Sequence, residues 1–234
     1  MVNQQEGENT MTPLPQISLP AAPVTTSSVP HLTSIHANAK RGPYGSSRYR
    51  GNCGGYLIRD LLNYYNPNHV LDPMKGSGTC QDVCRELQIT CTSMDIREGD
   101  DAADPSSYVG FGKVDFVWMH PPYWSMIKYN EDPNCLSNAP SLDAFLDRMA
   151  IVLENCRVVL APKGKIAVLI GGFSVKGRYQ PLSQLIMARA IDQGLWPATT
   201  EIIRFQHGNT SSRRTYNRSF IPGLHDTCMV FEEA

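Results

Sequence analysis

His120, Pro121, Pro122, Tyr123 and Trp124 follow directly on the run Asp115-Phe116-Val117-Trp118-Met119, and their types suit the gripping of a flat heterocycle. An apolar run that stops at two prolines reads as a buried strand whose C-terminal end opens into a loop, the place where parallel sheets put their chemistry. The prolines cannot continue a central strand. They stiffen its exit, turn the preceding carbonyl out of the ladder and set Tyr123 and Trp124 at a fixed distance from it. A polar side chain, free carbonyls and aromatic faces are what is needed to hold a ring by its exocyclic amino group, which points to a nucleobase.

A second chemical stretch lies upstream. His69 to Thr79 reads as a short strand running into a glycine-rich turn, and Cys80 to Leu87 behind it has helical spacing, with Cys80, Val83, Cys84 and Leu87 on one face. Strand, turn and helix form a cradle: glycines let the backbone approach a ligand, and a helix N-terminus offers unpaired N–H groups to an anionic group such as a carboxylate. The spacing fits neither the phosphate loop of nucleoside triphosphatases nor the full dinucleotide fingerprint. A further strand, Ile89 to Met94, ends at Asp95-Ile96. An acid about twenty residues after such a turn accepts hydrogen bonds from ribose hydroxyls in doubly wound sheets.

Asp72-Pro73-Met74-Lys75-Gly76-Ser77-Gly78-Thr79 resembles the DPFxGSGT cofactor motif, and His120-Pro121-Pro122-Tyr123 the [DNS]PPY catalytic motif, of the S-adenosylmethionine-dependent amino-group DNA methyltransferases. These site-specific enzymes methylate adenine at N6 or cytosine at N4. The resemblance runs from about Arg50 to the C-terminus and includes Phe220 to Phe231, which is similar to the family's last strand. It implies a Rossmann-like methyltransferase fold with S-adenosyl-L-methionine held at Asp72, Pro73, Gly76, Ser77, Gly78, Thr79, Asp95 and Ile96. It also implies that His120 and the Pro121 carbonyl accept the N–H bonds of a base flipped out of duplex DNA, while Pro122 shapes the turn and Tyr123 stacks on the base. The chain departs from the family at His120, where Asp, Asn or Ser is usual. A histidine can replace them as an acceptor only when neutral. Adenine N6 is the favoured target; cytosine N4, an RNA base and a non-catalytic DNA-binding role are the alternatives.

The elements that must position these residues follow from periodicity and turn chemistry. Gly55 to Tyr65 reads as an amphipathic helix closed by Asn66-Pro67, and Ser141 as the N-cap of a long helix with Leu142, Phe145, Leu146, Met149 and Val152 inward. Pro162-Lys163-Gly164 reads as a turn before a buried strand Lys165 to Ile170, and Leu182 to Gln193 as a helix ended by Gly194. Glu201 to Gln206 and Asp226 to Phe231 read as antiparallel strands across a long polar loop. The expected fold is α/β, a mostly parallel sheet with a reversed edge strand. The 234 residues are enough for one core, so residues 40–234 are expected to form one catalytic domain behind a disordered, Pro/Ser/Thr/Gln-rich tail, 1–39.

Charge narrows the partners. Lys40, Arg41, Arg48 and Arg50 are interleaved with Tyr44 and Tyr49, and Arg213, Arg214 and Arg218 lie near Tyr216 and Phe220. Basic loops with aromatics suit phosphate contacts and base stacking, whereas Glu98 to Tyr108 reads as an acidic surface loop that repels DNA. No room remains for a separate recognition module, so specificity falls to these loops, to Ser125 to Pro140, or to a second copy or partner subunit. Seven cysteines, an odd number and mostly inside predicted helices and strands, read as reduced thiols of a cytosolic protein. Cys80, Cys84 and Cys91 lack a CxxC pair or a histidine at ligand spacing, so no metal site is expected, and no segment reads as a membrane span or signal peptide.

Overall fold

The computed structural model describes residues 18, 20–38, 40–205, 221 and 223–234. In chain order the regular elements are β1 (Ile35–His36), α1 (Tyr56–Tyr65), β2 (His69–Asp72), α2 (Thr79–Leu87), β3 (Thr90–Ser93), β4 (Val114–Met119), α3 (Leu142–Val159) and β5 (Leu160–Ile170). They continue with β6 (Phe173–Val175), β7 (Arg178–Gln180), α4 (Leu182–Asp192), β8 (Leu195–Pro197), β9 (Ile202–Phe205) and β10 (His225–Glu233). One sheet has the order β1-β9-β10-β5-β4-β2-β3, with β8 also pairing with β10, and β6 and β7 form a separate hairpin. β2 pairs in parallel with both β3 and β4, and β4 in parallel with β5.

β10 is antiparallel to β5, β8 and β9. The fold is thus a Rossmann-like, mostly parallel α/β sheet with one reversed strand among those described. The reversed strand lies inside the sheet and not at its edge. β10 is buried on both faces, and its apolar run Cys228-Met229-Val230-Phe231 is what an interior strand requires.

Two helical layers cover the sheet because β4 and β5 alternate. Val117, Met119, Ile166, Val168 and Ile170 face Phe145, Met149, Leu153 and Ile186 of α3 and α4. Phe116, Trp118, Ala167 and Leu169 face Leu57, Ile58, Leu61, Val83 and Cys84 of α1 and α2. The caps follow sequence logic: the Ser141 hydroxyl accepts from Ala144 N at 3.1 Å, and α1 stops where Asn66 turns left-handed at φ 49°.

Two segments depart from the sequence reading. Pro162-Lys163-Gly164 does not separate two elements; it lies within β5 as a bulge, since Val114 pairs with Leu160 while Phe116 pairs with Lys165. Ile35–His36, inside the segment expected to be disordered, form the outermost strand, parallel to β9. They are tied down by a buried hydrogen bond between His36 Nε2 and Asp60 Oδ2 of α1, 3.1 Å long. No helix among the described residues is long and apolar enough to cross a membrane.

Candidate active site

The chain leaves β2 for β3 on one side and returns to β4 on the other, so the switch point of this sheet lies between the C-terminal ends of β2 and β4. Both chemical motifs end there. β2 delivers Asp72 into the glycine turn, where its Oδ1 accepts from Met74 N at 3.1 Å and Gly78 N donates to Lys75 O at 2.9 Å. Gly78 sits at φ 82° and Gly76 at φ 55°, conformations that side chains with a Cβ resist. Thr79 then opens α2.

A cavity of about 360 Å³ fills the space above this crossing, within the range of small-molecule sites. The glycine turn from Asp72 to Ser77 with Thr79, the acid pair Asp95-Ile96, and His120 to Tyr123 all line it. Two stretches far apart in sequence therefore share one chamber. Gly78 itself does not line the cavity; its N–H closes the turn on the Lys75 carbonyl.

Electrostatics distinguishes the two ends. Asp72 is buried, and burial raises its carboxyl to about 8, only partly offset by the Met74 N–H. Asp95 is engaged more fully: its carboxylate takes Nε of Arg97 at 2.8 Å, Nη2 of Arg97 at 2.6 Å and Gly76 N at 3.1 Å. Burial works against its ionisation, yet the Arg97 bonds hold it below the usual carboxylate range. Arg97 also lies over the ring of Tyr49, 5.1 Å from its centre, and Tyr49 stacks on Tyr129 at 5.8 Å. This end is an aromatic and acidic shelf.

At the other end, burial and then the Arg204 cation pull His120 down to about 4, against a smaller opposing effect of Asp226. Its ring is neutral at pH 7. His120 Nε2 lies 3.4 Å from the Tyr123 hydroxyl, which is also hydrogen-bonded to Asp226. Arg204 and Asp226 face each other in register on β9 and β10 and form an ion pair in the cavity wall. Arg204 Nε is buried with no hydrogen-bond partner among the described residues. Gly171, just past β5, leaves room for the assembly: a Cβ there would stand 2.6 Å from Asp226 Oδ1 and 3.1 Å from Tyr123 Cε2.

Sequence reasoning missed Arg204 and Asp226, although a base and an acid among apolar strand residues are a legible signal once the two strands are paired. It also misplaced the acidic segment: Asp100, Asp101 and Ala102 line the cavity, and Arg148 pairs with Asp101. Trp124 turns away, donating to Ala139 O at 2.9 Å and packing edge-on to Phe173, and Met119 is core. Tyr44 is buried, its hydroxyl donating to Glu86 at 2.7 Å, so it offers no stacking face. Arg41 is committed to the Gly42 and Tyr44 carbonyls. Arg48 and Arg50 are exposed and do not line the cavity, although Tyr49 between them in sequence does. Arg213, Arg214 and Arg218 lie outside the described residues.

No family model matches the chain, and no curated protein matches it. Similar solved structures include TrmN from Thermus thermophilus, 17% identical over 79% of this chain and 50% of that one, with a TM-score of 0.49. A second, from the same organism, is assigned only provisionally as a DNA modification methylase and was solved with S-adenosyl-L-methionine; it is 19% identical over 70% of this chain and 55% of that one, TM-score 0.42. A methyltransferase from Pyrococcus furiosus is 13% identical over 82% of this chain and 86% of that one, TM-score 0.44. The chain spans about half the length of the first two. At such scores the fold rests on the strand order itself.

Proposed function

We propose that this chain methylates the exocyclic amino group of a base flipped out of duplex DNA, with S-adenosyl-L-methionine as donor and adenine N6 as the target. The observation that carries the reading is the single cavity in which the glycine turn of β2 and the His-Pro-Pro-Tyr exit of β4 meet.

The residues suit the donor. Asp72 is a buried carboxyl whose ionisation a cationic ammonium would restore, and the left-handed glycines 76 and 78 keep the backbone bare beside it. Asp95, Ile96 and the Tyr49–Tyr129 stack offer a polar edge and flat faces for a nucleoside; Arg97 must share Asp95 with it. When bound, S-adenosylmethionine supplies an electrophilic methyl group on a sulfonium centre.

His120, Pro121 and Tyr123 prepare the amine. An exocyclic amine is a poor nucleophile while its lone pair is delocalised into the ring, and acceptors on its N–H groups favour the pyramidal geometry that attacks. His120 offers a neutral ring nitrogen and Pro121 its carbonyl. With its ring pulled down to about 4, His120 is a weak base, so its part is orientation. The proton leaves the methylated, cationic amine for water. Tyr123 is anchored through its hydroxyl to Asp226, which fixes the ring as a stacking face.

The test is tritiated methyl transfer from S-adenosylmethionine to unmodified genomic DNA and, in parallel, to transfer RNA, followed by nucleoside analysis. N6-methyladenine from DNA is the expected product. N4-methylcytosine would move the target, label in RNA alone would move the substrate, and no label in either would overturn the reading.

A further inference from the structure

Cys80, Cys84 and Cys91 are separated in sequence by nothing that resembles a ligand motif, yet α2 and β3 bring their sulfurs within 4.8 Å of one another. The cause is geometric. Cys80 and Cys84 are one helical turn apart on the buried face of α2, and β3 runs beneath that face with Cys91 paired in register to Val70. Cys80 and Cys84 are buried, while Cys91 is half-buried and leaves a way in from solvent. The Ser93 hydroxyl lies 3.5 Å from the Cys91 sulfur.

The three sulfurs are also hydrogen-bonded to one another. Hydrogen bonds with Cys80 and then Cys84 hold the Cys91 thiol well below its usual range, while those with Cys84 and then Cys91, followed by burial, push Cys80 up. His69, hydrogen-bonded to Thr92, and Asp72 are the other titratable groups that act on the trio.

We propose that Cys80, Cys84 and Cys91 form a binding site for a thiophilic d10 metal ion, Zn²⁺ or Cu⁺. Metal–sulfur bonds of about 2.3 Å require sulfurs about 3.8–4.0 Å apart, so closing the trio needs shifts of under about 1 Å. Three thiolates with no carboxylate select a soft ion, trigonal for Cu⁺ or completed by a water or the Ser93 hydroxyl for Zn²⁺. Binding to the three thiolates expels their thiol protons to water. The site stands directly behind the glycine turn, since Cys80 follows Thr79 in the first turn of α2.

The full chain, reduced and stripped with chelator under anaerobic conditions, is titrated with Zn²⁺ and separately with Cu⁺ against chromophoric chelators. One equivalent of at least one of the two ions is expected to bind, with a sulfur shell of three neighbours by X-ray absorption. Cys84→Ala and Cys91→Ala are expected to weaken it at least about 100-fold, and Cys156→Ala, which removes a buried thiol elsewhere, to leave it unchanged. Near-UV circular dichroism separates loss of ligand from loss of fold. Failure of the wild-type chain to take up either ion, or equal uptake by wild type and a folded Cys91→Ala, overturns the site.

Discussion

A histidine where the resembled motif has Asp, Asn or Ser sets the pH range over which the acceptor works. With the ring pulled down to about 4, the acid limb of turnover due to His120 is expected near pH 4, not near the ordinary 6.5. His120→Ala is expected to lower kcat on the order of 10²-fold through lost orientation while cofactor affinity holds, and His120→Asn to keep part of the rate and erase that limb. An Ala variant with full kcat would leave the Pro121 carbonyl as the acceptor. The same shift has a stability sign: between pH about 6.5 and about 4 the unfolded chain takes a proton the native ring refuses, so acidification through that window destabilises the fold. Asp72 acts oppositely. Its native pKa of about 8 exceeds the ordinary 3.8, so its contribution to stability is lost as pH rises between them. A cationic ligand reverses that shift, so S-adenosylmethionine affinity is expected to rise by up to about tenfold per pH unit toward pH 8 and to release a proton, with Asp72→Asn flattening the profile. Calorimetry in two buffers of different ionisation enthalpy reads the proton directly. That Asp72, His120 and Tyr123 stand at strand ends lining one cavity was legible because each belongs to a local motif. Arg204 and Asp226 were not, since each has meaning only beside the other.

Helix spacing, the Ser141 cap and the glycine stops could be read from local sequence because each is a local requirement. The bulge in β5 could not: Pro162-Lys163-Gly164 has turn composition, and only the pairing with Val114 and Phe116 on either side keeps it within one strand. β1 is two residues long, too short for any periodicity, and depends on β9 and the His36–Asp60 bond. The turn of β2 gives the sharpest test at this scale. Gly78→Val places a β-branched residue at φ 82°, with Gln81 Oε1 3.2 Å from the new Cβ. Backbone strain of about 1–3 kcal/mol there would distort the cradle, so cofactor affinity is expected to fall about ten- to a hundredfold by calorimetry, and an unchanged value would remove the turn from the site. Gly171→Ala tests the other end. Its methyl would displace Asp226 from Tyr123, so transfer is expected to drop with cofactor affinity intact, and simultaneous loss of both would mark Gly171 as a folding residue.

The whole molecule gathers its chemistry at one end of the sheet, and the charge around that end decides what can approach. A chain with 21 basic and 22 acidic residues has no net attraction for a polyanion, so any DNA affinity must come from local arrangement. The acidic residues Asp95, Asp100 and Asp101 sit inside the cavity, two of them paired with Arg97 and Arg148, so they do not repel a duplex as an open patch would. Arg48 and Arg50 are exposed and flank in sequence Tyr49, which lines the cavity, so they are the described basic residues to test for phosphate contacts under the proposed function. Arg41, spent on its own loop, is poorly placed to join them. Single Arg48→Ala and Arg50→Ala variants are therefore expected to weaken binding evenly across duplex sequences and to flatten the slope of log affinity against log salt by roughly one counterion each, whereas Arg41→Ala should alter stability more than slope. Fluorescence anisotropy across a salt series measures it. A variant that changes which sequence is bound with the slope intact would show that its arginine reads a base edge.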